Sequence, residues 1–212
     1  MHNKHEWRKK EKALYLPKAQ PEIIDVPPMR FISIRGEGSP ESHLFADKVG
    51  ALYSLAYTIK MSLKSMNQKI KDYEDFTVYP LEGVWDINDE AKANFNGIAH
   101  KDDFEYQLMI RQPDFVSHAL FNEMLAVAKR KKANPLLDDI EFISISEGLC
   151  VQMLHVGPYE NEPASFARME NFCTDKSLLR LAKVHREIYL SDVRKVEPEK
   201  LKTVLRFNVE AV

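Results

Sequence analysis

Val151-Gln152-Met153-Leu154-His155-Val156-Gly157, with Pro163 beyond it, has a counterpart early in the chain: Phe31-Ile32-Ser33-Ile34-Arg35-Gly36, with Pro40 beyond it. Each is a β-type run closed by a glycine, followed by a proline suited to the first turn of a helix. Order and spacing agree although identity is low, so the chain reads as an internal repeat. The fold class that follows is α+β: duplicated β-hairpin–helix–β-hairpin units with pseudo-twofold symmetry. Antiparallel sheets carry the helices, and a central groove between the halves is the natural ligand pocket.

Working outward, residues 1 to about 20 are charged and end in Leu16-Pro17-Lys18, an N-terminal arm whose Trp7 and Tyr15 dock on the body. Residues 21–212 then form one domain, with half-repeats at about 21–112 and 138–212 and a linking helix at about 114–133. Pro27-Pro28 separates an extended Glu22–Val26 from Met29–Arg35. Ser39 caps a helix running to about Ser65, because Phe45, Val49, Leu52, Ala56, Ile59 and Leu63 recur at helical spacing. Lys60 to Asp75 reads as a helix end and surface loop. Phe76–Ile87 and Phe104–Arg111 read as the two arms of a long-looped hairpin. The linking helix takes Asp114 as its cap and places Lys129–Lys132 at its C-terminal dipole end. Ile140–Ser146 and Leu149–Val156 flank a Glu147-Gly148 turn as a second hairpin.

Composition narrows the function classes. Hydrophobic residues are 44% and charged residues 29% of the 212, the balance of a folded globular chain. No apolar run reaches the ~20 residues of a spanning helix, and Met1–Lys10 lacks the apolar core of a signal peptide, so a cytoplasmic protein without a membrane partner is expected. A net charge of -2 gives no general affinity for a polyanion, and Lys129–Lys132 is too short a basic run to change that, so no nucleic acid is expected. Cys150 and Cys173 stand apart and suit packing roles. The seven histidines do not fall at metal-ligand spacings, and no P-loop, nucleophile elbow or dinucleotide fingerprint is present, so neither metal nor cofactor is expected.

The chemistry concentrates near the end. His185-Arg186-Glu187-Ile188-Tyr189-Leu190 read as a strand puts His185, Glu187 and Tyr189 on one face and Arg186 and Ile188 on the other. Glu187 is either an exposed or salt-bridged strand residue, or a pocket acid; burying it without partners would be costly. Tyr53, Tyr57, Trp85, Tyr106, Tyr159 and Tyr189 are each core or rim aromatics taken singly, and together would form a cage around that acid. Such a cage holds flat or lipophilic molecules by stacking, and cationic ones through the carboxylate.

Glu187-Ile188-Tyr189-Leu190-Ser191-Asp192-Val193-Arg194 followed by Pro198-Glu199-Lys200-Leu201 resembles the C-terminal signature of GyrI-like small-molecule-binding proteins. Ala51–Tyr57, Pro80–Trp85 and Glu147–Tyr159 extend the likeness over nearly the whole chain, and toward a stand-alone bacterial subfamily. The resemblance implies a duplicated fold with a central ligand groove, a central acid at Glu187, and Trp85 and Tyr159 in an aromatic lining. His155 and the tyrosines at 53, 57, 106 and 189 complete the expected ligand-binding set. Family members fused to helix-turn-helix domains are drug-sensing regulators; about 20 residues before the first strand are too few for such a domain. The stand-alone subfamily implies hydrolysis of cyclopropanoid DNA-alkylating toxins through an aromatic cage. A binder that sequesters drugs unchanged, and a protein-partner regulator of gyrase-inhibitor type, stay open. The expected partners are lipophilic or cationic aromatic molecules, with the protein a monomer or weak homodimer.

Overall fold

The computed structural model describes residues 4–66, 70–95 and 100–212. Parts of the expected loops, at 67–69 and 96–99, lie outside the described residues. In chain order the elements are α1 (Trp7–Lys10), α2 (Lys12–Tyr15), β1 (Glu22–Val26), β2 (Met29–Glu37), α3 (His43–Ser65), β3 (Leu81–Ile87), α4 (Asp89–Ala93) and β4 (Phe104–Gln112). They continue as α5 (His118–Lys131), β5 (Glu141–Ile145), β6 (Gly148–Val156), α6 (Glu162–Asp175), β7 (Leu178–Arg180), β8 (His185–Tyr189) and β9 (Lys202–Ala211). The class is mixed α+β, with antiparallel strand pairing between these elements. None of the described helices is long and apolar enough to cross a membrane.

The chain forms two compact units that are not contiguous in sequence. The first contains residues 1–7, 29–81 and 87–145; the second contains 8–28, 82–86 and 146–212. In the first unit β2 is the central strand, paired with β4 (Ile32 opposite Ile110) and with β5 (Ile32 opposite Phe142). Helix α3 buries Leu52, Leu55, Ala56, Ile59 and Leu63, the stripe its spacing requires. Tyr106 lies flat over Gly36, where any side chain would meet its ring.

In the second unit β6 lies between β1 (Ile24 opposite Cys150) and β9 (Met153 opposite Leu205). β8 pairs with β9 and β3, and β7 adds to β9. So the two copies of the repeated sequence, β2 and β6, each become an inner strand, one in each unit. One sheet face packs on α6 through Val151, Met153, Met169, Cys173, Leu205 and Phe207, each large side chain contributing about 1.5–3 kcal/mol of burial. Cys150 is buried and free, and burial pushes its thiol up to about 12, the state of an inert packing residue.

The other face holds a buried charge network. Arg186 donates to Glu82 at 2.6 Å and to Glu147 at 2.9 Å. Arg206, opposite Arg186 in the β8–β9 register, lies 3.5 Å from the second oxygen of Glu147 and donates to Gln152 and to the Leu14 carbonyl at 2.7 Å. Gln152 in turn donates to the Ala13 carbonyl and to Glu22. The network therefore pins the N-terminal segment, and Tyr15 is buried as its position in the arm suggests.

Four expectations are corrected. The first long helix starts at His43, not Ser39, since the Ser42 hydroxyl accepts from the Phe45 amide; Ser39 lies in the preceding turn. The linking helix starts at His118 with Ser117 as cap, not Asp114, because Arg30 takes the carbonyls of Asp114 and Val116 and holds that stretch as a turn. The strand expected from Phe76 begins at Leu81. The hairpin expected across Glu147-Gly148 does not form: β5 pairs with β2 in one unit and β6 with β1 and β9 in the other. Gly148, at φ +67°, opens β6 just after the chain passes from the first unit to the second at Ile145–Ser146. Strand β7 had no sequence signal, being only three residues long.

Candidate functional site

The acid face of β8 is built by strand alternation. His185 Nε2 lies 3.1 Å from Glu187 Oε1, and the Tyr189 hydroxyl donates to Glu187 Oε2 at 2.8 Å. One carboxylate thus engages both its neighbours on that face while remaining only 8% exposed. Trp85, on the adjacent strand β3, donates its indole N–H to the Tyr189 oxygen at 2.7 Å. A relay of three groups results: indole to phenol to carboxylate.

Gly83 makes this relay possible. It sits opposite Glu187 in the β3–β8 register, and the Trp85 indole folds back across it. A β-carbon at Gly83 would come within 2.8 Å of Trp85 Nε1 and 3.1 Å of the Tyr189 hydroxyl. Only the bare backbone leaves room for both rings.

Helix α6 and the turn before it close the site. Tyr159 sets its ring edge-on to Tyr189, with centroids 6.2 Å apart, and Phe166 meets His185 at 4.6 Å. Glu162, the first residue of α6, is 7% exposed and within hydrogen-bonding reach of Glu187. Its Oε1 is buried without a hydrogen-bond partner. Burial, then the charge of Glu187, raise the Glu162 carboxyl well above the usual range. Burial and Glu187 also raise the phenols of Tyr159 and Tyr189, which stay neutral donors.

His155 is 4% exposed and braces the turn. Its Nε2 lies 3.1 Å from the Pro158 carbonyl, which can only accept, so Nε2 carries the proton and Nδ1 accepts from the Ser165 hydroxyl at 2.9 Å. This holds the loop that presents Tyr159.

Of the residues singled out from sequence, Trp85, Tyr159, Glu187 and Tyr189 are brought together in the second unit, with His155 behind Tyr159. Tyr53 and Tyr57 lie on α3 of the first unit with rings 6.4 Å apart, Tyr57 being 51% exposed. Tyr106 packs against Gly36 and edge-on to Phe45 in that unit. Glu162 was missed, because Glu160-Asn161-Glu162-Pro163 has the composition of a solvated turn. Among the described residues no group of three or more His, Cys, Asp or Glu could hold a metal ion.

The GyrI-like small molecule binding domain matches residues 19–210 of the chain. A hydrolase from Listeria innocua superposes with a TM-score of 0.88 at 37% identity, over 98% of this chain and all of the other. An uncharacterized conserved protein from Listeria innocua gives 0.87 at 37% identity, over 97% of this chain and all of the other. The C-terminal domain of EcmrR shares the fold alone, at 15% identity and a TM-score of 0.53, over 91% of this chain and 98% of that domain. A search of curated proteins finds no match. With nearly its whole length covered, the chain belongs to the GyrI-like family of small-molecule-binding domains.

Proposed function

We propose that this protein takes lipophilic aromatic small molecules, neutral or cationic, at the Glu187 cluster and hydrolyses cyclopropanoid DNA-alkylating toxins there, as a detoxifying enzyme of the cytoplasm. The observation that carries this reading is the Trp85–Tyr189–Glu187 relay, with the Tyr159 ring set against Tyr189. The hydrolase from Listeria innocua, alike over nearly the full length of both chains, supports it.

The aromatic rings align a planar substrate, and stacking of this kind contributes about 0.5–1.5 kcal/mol per ring pair beyond burial. The neutral phenol of Tyr159 is a donor for the carbonyl conjugated to the strained ring. Glu187 is the acceptor for a proton of the attacking water, a role worth roughly 10²–10⁴ in rate. Because the strained ring is already reactive, orientation supplies much of the remainder.

The test is incubation with a panel of cyclopropane-bearing and other lipophilic electrophiles, following product mass, for the native protein, Glu187→Gln and Trp85→Ala. Addition of one water by the native protein, lost in Glu187→Gln, is expected. Binding without turnover of any probe would leave a sequestering protein and sink the enzyme reading. Unchanged turnover in both variants would sink the site.

A further inference from the structure

Glu162 has no place in the relay, yet it meets the same carboxylate. Two carboxyl groups this close and this buried cannot both ionise cheaply, because like charges in a poorly hydrated site repel strongly. The groups around Glu162 give no compensation. Glu187 and Tyr189 face it from β8, and Glu160 adds a further acidic charge from the preceding turn. His185, on the same strand, is spent on Glu187, and His155 of β6 on Ser165 and Pro158. No donor reaches the buried Glu162 Oε1, so a negative charge there has no hydrogen bond to hold it.

We propose that Glu162 and Glu187 form a carboxylic acid–carboxylate pair that holds a single proton, and that Glu162 is a second catalytic residue, the proton store of the reaction. The catalytic half of this rests on the hydrolytic reading above; the shared proton does not. Water gives a proton to Glu187 while its oxygen bonds to the methylene carbon of the three-membered ring. The ring carbon–carbon bond breaks, its electrons pass into the conjugated carbonyl, and an oxyanion forms. The pair now holds two protons and returns one to that oxyanion, so substrate plus water becomes an opened alcohol and phenol with the pair restored. No solvent proton is needed. The raised carboxyl of Glu162 agrees with this assignment.

Two measurements test it. Carbon-detected NMR of the ligand-free protein, with glutamate labelled at the side-chain carboxyl, reports protonation without any substrate. One carboxyl carbon at the protonated position at neutral pH is expected, absent in Glu162→Gln and displaced in Glu187→Gln; all glutamates ionised would overturn the pair. Should Glu162→Gln not fold, Glu162→Asp shortens the reach to Glu187 and should return the odd resonance toward ordinary carboxyl behaviour. The second measurement is kcat and KM against pH on a cyclopropane-bearing substrate. Glu162→Gln keeps a hydrogen-bond donor but no releasable proton, so kcat should fall roughly a hundredfold at neutral pH with KM nearly unchanged. Its alkaline arm should also flatten. Native-like kcat and an unaltered alkaline arm would overturn the proton-store role. Absence of turnover by the native protein would instead overturn the hydrolytic reading, with the NMR result still deciding the pair.

Discussion

Arg186 and Glu187 are neighbours in the chain, both charged and both buried, 3% and 8% exposed, yet they sit in opposite electrostatic worlds. On one face of β8 the arginine is matched by Glu82 and Glu147, whose charges outweigh burial and raise its pKa. On the other face the carboxylate meets a phenol, an imidazole and a second carboxyl group. A charge network with every partner supplied serves the fold. An acid set among aromatics beside another acid is a candidate site.

The largest effect is expected from the charge network. Arg186→Ala strands Glu82 in the interior, leaves Glu147 with Arg206 alone, and should cost about 3–5 kcal/mol in denaturant unfolding. A loss below about 1 kcal/mol would mean that water reaches this face. On the functional side, Glu187→Gln should lower turnover by roughly 10²–10⁴ while moving stability far less than Arg186→Ala, because the amide still accepts from Tyr189. A variant that unfolds but turns over normally when rescued would reverse the assignment of the two faces.

Glu162 sharpens the contrast through pH. Its carboxyl is raised on folding, so above the unfolded value of 4.5 the folded chain holds a proton the unfolded chain has lost. Stability from this group is full below that value and declines as pH rises toward the folded value, by at most about 1.4 kcal/mol per pH unit. Glu162→Gln should flatten that decline in thermal scans and melt higher than the native protein in the alkaline range; parallel curves would remove the shared proton. The smallest effect is expected for Trp85→Phe. It deletes one N–H donated to Tyr189 and keeps most of the ring, so ligand affinity should weaken by about 1 kcal/mol, read by calorimetry. Gly83→Ala should exceed it, since the β-carbon displaces both rings at once.

Much of this was legible in the residues. Alternation along His185–Tyr189 placed Glu187 with His185 and Tyr189, and hydrogen bonds of 3.1 and 2.8 Å bear that out. The stripe from Leu52 to Leu63 is the buried face of α3. Helix starts were off by three or four residues, because Ser39 and Ser42, or Asp114 and Ser117, are equally good caps on paper; the turn ahead of each helix decides which one is used. The exchange of β1 and β5 between units was not legible, since β pairing joins segments far apart in sequence and adjacent runs pair equally well on local grounds.

By itself, then, the sequence determined the α+β class, the repeat that becomes β2 and β6, and the shared face of His185, Glu187 and Tyr189. These rest on the periods of strand and helix, which are properties of neighbouring residues. Only the tertiary structure decided that Glu162 meets Glu187, that the Trp85 indole lies over Gly83, and that His155 braces the Tyr159 turn. Each of those joins elements separated in the chain, and the closeness that forces two carboxyl groups to share a proton arises from packing, which no local pattern encodes.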